Sequence, residues 1–334
     1  MKTGFLAVGL AAGGVLAACG GGQPASTSAS STSAPARATT STTTSPGASG
    51  SGVTRWPGTP IADTAIPLGD GKLSTTPQIG DVDSCQTQFS SVGGAQADGP
   101  WINTSAATWN ATTKIHVQGA TTWPNASHSF IVSGPQRVLV TNDLPTGATT
   151  GTFPIASSDP AYQYDRNPNS VTAQSYRWSV PADPTAAETP SCIGQGPIGI
   201  SVDGVVFFNA LDDEGRDAGA HELQDSCDGH PQMQGVYHYH TYSPCLATAA
   251  SNAAGSSTLV GYALDGYGIY LERDAQGNLP TDADLDACHG RTSAVRWDGR
   301  RVVMYHYDIT EEYPYTVGCY HATPVSAGAG AGPP

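Results

Sequence analysis

At 334 residues the chain suits one large domain or two small ones, and its formal net charge of -14 argues against nucleic-acid binding. Charged residues make up only 13%, while glycine (40) and proline (25) are abundant, which fits a secreted globular protein. The acidic balance mildly favours cationic partners, metal ions included, and keeps the protein soluble.

Lys2 precedes an apolar run, Gly4 to Ala18, too short to cross a bilayer as a helix. A charged start, an apolar middle and small residues at the end read as a signal peptide over residues 1–18. Leu16-Ala17-Ala18-Cys19-Gly20 resembles the bacterial lipobox. That resemblance implies cleavage before Cys19 and lipidation of its thiol, with several acyl chains giving a stable membrane anchor. An ordinary signal with a coincidental cysteine is the other reading. The expectation is an exported protein, lipid-anchored to the cell envelope on its periplasmic face or at the cell surface. Gly20 after the cysteine, in place of Asp, would by the same resemblance allow outer-membrane sorting.

Residues 19–52 are nearly all Ser, Thr, Ala, Gly and Pro. Such a composition buries no core and predicts a flexible tether with a reach of roughly 30 Å. Residues 325–334 form a similar tail. Between them lies the folded part, read as an N-terminal β-rich part (53–200) and a second part (201–324) that holds most of the chemistry.

Short β-prone runs bounded by Gly, Pro, Asn and Asp dominate: Lys114–Val117, Ser129–Val132, Arg137–Thr141, Ile198–Phe208, Val236–Tyr242, Leu259–Leu264, Ile269–Leu271 and Arg301–Tyr307. Asp203-Gly204, Asp265-Gly266 and Asp298-Gly299 are turn signals, the first a hairpin between apolar flanks. One short helix is predicted over Asp282–Cys288, capped by Thr281 and ended by Gly290. Trp56, Trp101, Trp109 and Trp123 read as core anchors. The fold class expected is mainly β, with short helices and long loops, as a single disulfide-stapled domain or two sub-domains.

Seven cysteines are present. Reserving Cys19 for lipid leaves Cys85, Cys192, Cys227, Cys245, Cys288 and Cys319, an even set in an oxidising compartment. Six cysteines allow fifteen pairings, among which sequence does not choose. The expectation adopted is Cys85–Cys192, Cys227–Cys245 and Cys288–Cys319. No CxxC pair supports a thiolate metal site.

The most informative stretch is Tyr237-His238-Tyr239-His240, echoed by Tyr305-His306-Tyr307-Asp308. On a strand, alternate side chains share a face, so His238 and His240 would lie together, as would His306 and Asp308. Two such strands side by side would bring three imidazoles and a carboxylate to one spot.

These residues resemble the YHYH-domain proteins. The likeness also rests on Asn209-Ala210-Leu211-Asp212, His221-Glu222, Asp228-Gly229-His230-Pro231, Ala263 to Tyr270, Leu285 to Gly290, Tyr313-Pro314-Tyr315 and Gly318-Cys319, and runs from about Trp101 to His321. It implies an exported β-rich domain and supplies no reaction. Two features depart from the family pattern: the second strand ends in Asp308, and His289 stands where Asn is usual.

Transition metals favour neutral imidazoles, and His-x-His on a strand delivers two. His238 and His240 are the central candidate ligands for copper or zinc, with His306, His230, Asp228, Asp308 and His221 as further candidates. A structural reading has the tyrosines and histidines satisfying one another in a polar core. A catalytic reading has the same cluster serving an extracytoplasmic hydrolase, through metal-activated water or with His221 and Asp228 as base and orienter. A third has a structural or adhesive module with no ligand. The acidic segment Asp212–Asp228 would hold Ca²⁺ if Asp213, Asp217, His221 and Asp225 shared a helix face, although a solvated acidic face is the plainer reading. His221-Glu222 is not a zincin motif, since Asp225 stands where the second histidine belongs. No GxSxG or GxGxxG stretch is present.

Overall fold

The computed structural model of the chain describes residues 61–89, 94–248 and 251–328. Cys19, the tether and Trp56 lie outside the described residues, and so does the end of the tail. Among the described residues strands dominate, and helix is confined to Ala218–His221 and three short 3-10 turns. No helix among them is long and apolar enough to cross a membrane.

The largest sheet has eight strands in the order Gly229–Pro231, Tyr237–Tyr239, Val206–Phe207, Gly199–Ser201, Ser257–Ala263, Gly268–Glu272, Arg300–Asp308, Gly290–Trp297. Neighbours are antiparallel except at two junctions. Val206–Phe207 runs parallel to Tyr237–Tyr239, and Gly268–Glu272 runs parallel to Arg300–Asp308. Read from either edge, the sheet is therefore a hairpin, a parallel junction and a second hairpin. The two halves meet where Ile200 stands opposite Tyr262, with Gly199 opposite Ala263 and Ser201 opposite Gly261. Strand order and strand direction repeat outward from that central pair toward either edge.

The local chemistry repeats with the topology. Asp203-Gly204 and Asp265-Gly266 turn the two inner hairpins, with Gly204 and Gly266 at φ 93 and 95, where a Cβ is disfavoured. After each inner hairpin an aspartate side chain folds the loop. Asp212 Oδ1 accepts from the amides of Glu214 and Arg216 (2.9 and 2.7 Å), and Asp274 Oδ1 from those of Gln276 and Asn278 (both 2.8 Å). Before each outer hairpin an Asp-x-Cys-x-Gly loop does the same. Asp225 takes the amides of Cys227 and Gly229, and Asp286 those of Cys288 and Gly290. Buried tyrosine hydroxyls need partners, and each half supplies matching ones. Tyr237 and Tyr239 donate to Asp225 and Asp203, while Tyr305 and Tyr307 donate to Asp286 and Asp265.

The expected strands from Ser129 onward form, with shifted ends. Lys114–Val117 does not: Val117 makes only an isolated bridge to Asp225. The helix expected over Asp282–Cys288 stops at Asp284. Beyond it the Asp286 carboxylate takes the amides of Cys288 and Gly290, and His289 adopts φ 68, both incompatible with a continuing helix. Among the described residues ten strands went unread, seven of them only two residues long, and the three longer ones are Tyr176–Pro181, Gly229–Pro231 and Gly290–Trp297. Tyr176–Pro181 pairs with Gln136–Thr141, and Gly290–Trp297 forms an edge of the large sheet.

The three disulfides join Cys85 to Cys192, Cys227 to Cys245 and Cys288 to Cys319, matching the expected pairing. Trp101 and Trp109 are buried in a second core with Ile66, Leu211, Leu223 and Tyr313. Trp101 donates its indole N–H to the Ala220 carbonyl (2.9 Å), which fixes the short helix Ala218–His221 against this core. The residue capping that helix is Glu222.

Candidate metal centre

Four buried side chains converge at one end of the large sheet. His238 lies on Tyr237–Tyr239 and His240 follows it. His230 stands directly across the ladder from His238. Glu222 reaches in from the helix end. All four are less than a tenth exposed.

The backbone decides the protonation of two imidazoles. His238 Nδ1 lies 3.1 Å from the Val236 carbonyl, and His240 Nδ1 lies 2.5 Å from the Asn209 carbonyl. A carbonyl oxygen only accepts, so both Nδ1 atoms carry the proton. In the neutral rings both Nε2 atoms are then lone pairs. They face each other at 3.0 Å. Two lone pairs at that distance repel unless a proton or a cation sits between them.

The remaining donors extend the same edge lengths. His240 Nε2 is 3.1 Å from Glu222 Oε2, and His230 Nε2 is 3.3 Å from it. His230 makes no hydrogen bond from either ring nitrogen, and Glu222 Oε2 makes none. Bonds of about 2.0–2.1 Å to a tetrahedral zinc imply donor separations of about 3.3 Å. The three imidazoles each offer a nitrogen within 4.8 Å of the others. Phe208 stacks on His238 with ring centroids 3.9 Å apart and holds its orientation.

Electrostatics separates the four groups. Burial and the neighbouring His230 and His240 hold His238 well below the usual histidine value. Burial also disfavours charge on His230, but the Glu222 carboxylate outweighs it and lifts His230. Burial by itself would raise Glu222, yet His230 and His240 keep it well below the usual carboxylate range. Without a metal the cluster is thus a carboxylate beside a proton-hungry imidazole.

The other expected ligands sit elsewhere. The two Tyr-His strands are not side by side, as four other strands, Val206–Phe207, Gly199–Ser201, Ser257–Ala263 and Gly268–Glu272, lie between Tyr237–Tyr239 and Arg300–Asp308. His306 and Asp308 therefore form a separate group with Glu272. His221 is held between Asp98 (2.9 Å) and Asp70 (3.0 Å). Asp228 occupies a left-handed turn position, φ 57, in the Asp-x-Cys-x-Gly loop. No helix face unites Asp213, Asp217, His221 and Asp225, since the helix covers only Ala218–His221. Instead Asp212 binds Arg216, Asp217 takes the Tyr315 hydroxyl and the Gly69 amide, and Asp225 takes the Tyr237 hydroxyl. The tyrosines of the motif are thus satisfied by aspartates and not by the histidines, which leaves the imidazole face to its own chemistry.

Residues 177–282 match the family model described as YHYH protein. The chain contains a YHYH domain. No curated protein and no solved structure matches it. Within the YHYH domain lie His230, His238, His240, Glu222 and the first six sheet strands in chain order. Glu222 was not among the residues singled out as ligands. It caps a four-residue helix, where no periodic pattern marks it.

Proposed function

We propose that the YHYH domain binds a divalent transition metal, zinc or copper, through His230, His238, His240 and Glu222. The observation that carries this reading is the pair of Nε2 lone pairs facing at 3.0 Å, with both Nδ1 protons committed to carbonyls. Three imidazoles and one carboxylate suit zinc(II) or copper(II), whereas copper(I) prefers softer sulfur donors. Four protein donors close the coordination shell, which favours holding an ion over activating a water. The role is metal capture or delivery at the cell envelope. Cys19 would tether the domain there by lipid, a reading supported by the lipobox resemblance of Leu16 to Gly20.

The experiment is metal analysis by mass spectrometry of the exported protein, purified without a His tag. About one equivalent of zinc or copper, lost in a folded His238→Ala/His240→Ala variant, supports the site. A folded wild type that takes up neither ion, even when both are supplied, ends the proposal.

A further inference from the structure

The second half of the sheet carries the counterpart of this cluster, with one change of type. His230 stands opposite His238, and Arg291 stands opposite His306. His238 Nδ1 lies 3.1 Å from the carbonyl two residues before it, Val236, and His306 Nδ1 lies 3.1 Å from that of Met304. Asp308 takes the place of His240. A carboxylate completes each group, though from different elements: Glu222 from the helix end, Glu272 from the neighbouring strand.

Arg291 sits where the ion would go. Its Nη2 donates to Glu272 Oε2 at 2.9 Å, and its Nε lies 2.8 Å from Asp308 Oδ2. His306 Nε2 is 3.4 Å from Glu272 and 3.6 Å from Asp308, and makes no hydrogen bond. The Asp308 side chain is wholly buried, and its Oδ1 is also without a hydrogen bond. Two carboxylates in such a place demand a cation, and the guanidinium supplies one that never loses its charge. Because it is tied to the adjacent strand, its effective concentration there exceeds that of a free ion.

We propose that Glu272, His306 and Asp308 form a latent cation site that Arg291 fills from within, and that exchanging this arginine for histidine opens it to a divalent transition metal. With Arg291 in place the protein holds one ion in one half of the sheet and an internal guanidinium in the matched half. The inference rests on the reading of the first cluster only for the kind of ion. The symmetry and the ion pairs stand without it.

The test places Arg291→His in both the wild type and the His238→Ala/His240→Ala background, loads each with zinc and counts bound metal after desalting. The expected result is one equivalent in the triple variant, abolished by a further His306→Ala change, and one more equivalent than wild type in the single variant. A folded Arg291→His protein that binds no more zinc than wild type overturns the proposal. So does a wild type that loses an equivalent on His306→Ala, because the site would then already load. That second measurement decides the matter if the Arg291 variants do not fold. A wild type with no zinc beside an Arg291→His variant with one equivalent would remove the first cluster's metal and leave this proposal standing.

Discussion

Tyr239 donates its hydroxyl to Asp203 at 3.0 Å, joining the strand that carries His238 to the turn of the neighbouring hairpin. Both residues are buried. Removing the hydroxyl leaves a buried carboxylate short of a donor, at a cost of about 1–3 kcal/mol. Tyr239→Phe should lower stability by that amount in urea unfolding while metal content stays unchanged. Tyr307→Phe, its counterpart on Asp265, should behave alike. A loss of metal without a loss of stability would show that Tyr239 belongs to the site itself.

Glu222 contributes the one carboxylate of the cluster. Glu222→Gln keeps the shape and removes the charge. Metal affinity should fall by at least an order of magnitude, as loss of an anionic ligand exceeds the 10–100-fold typical of an outer partner. Competition against a chelator of known affinity measures it. Unchanged affinity would take Glu222 out of the shell.

Metal binding should depend on pH through His230. A ligand imidazole must be deprotonated, and Glu222 lifts His230 above 6.5 against the effect of burial. Affinity should therefore rise with pH through a value above 6.5, releasing about one proton per ion near neutrality. The metal-free fold has the opposite slope. A raised imidazole contributes its stability fully below 6.5 and loses it as pH rises through the folded value. The lowered Glu222 contributes above 4.5 and loses its share only as pH falls through its depressed value. Calorimetric titration from pH 5.5 to 8.5 tests this, and a flat profile would contradict the His230–Glu222 coupling.

Cys227–Cys245, with a sequence separation of 18, closes a short loop around the His-bearing strand. The chain-entropy relation gives a loop of that size roughly 3 kcal/mol. A Cys227→Ala/Cys245→Ala variant should lose about that much stability and bind metal more weakly, because the ligand strand frays with its loop. Full metal affinity in the folded variant would show that the strand is held by the sheet alone.

Part of the site was legible because a strand has a period of two. His238 and His240 are two apart, and alternation puts them on one face wherever the strand lies. The Asp-Gly turns were legible for a similar reason, as their backbone needs a left-handed residue that glycine supplies. Tyr176–Pro181 was missed although Tyr176, Trp178 and Val180 alternate inward. The internal repeat also left a mark, Asp-x-Cys-x-Gly at 225–229 and again at 286–290, but unlike residues fill the gaps around it.

By itself the chain determined its β-rich class, its turns and the shared face of His238 and His240, since each follows from the stereochemistry of a few neighbouring residues. Only the tertiary structure decided the company those imidazoles keep. Strand order placed His306 and Asp308 in a separate group, packing of the Ala218–His221 helix under Trp101 brought Glu222 in, and ladder register set His230 and Arg291 in matched places. These are contacts between residues distant in the chain, and local stereochemistry carries no information about which strands become neighbours.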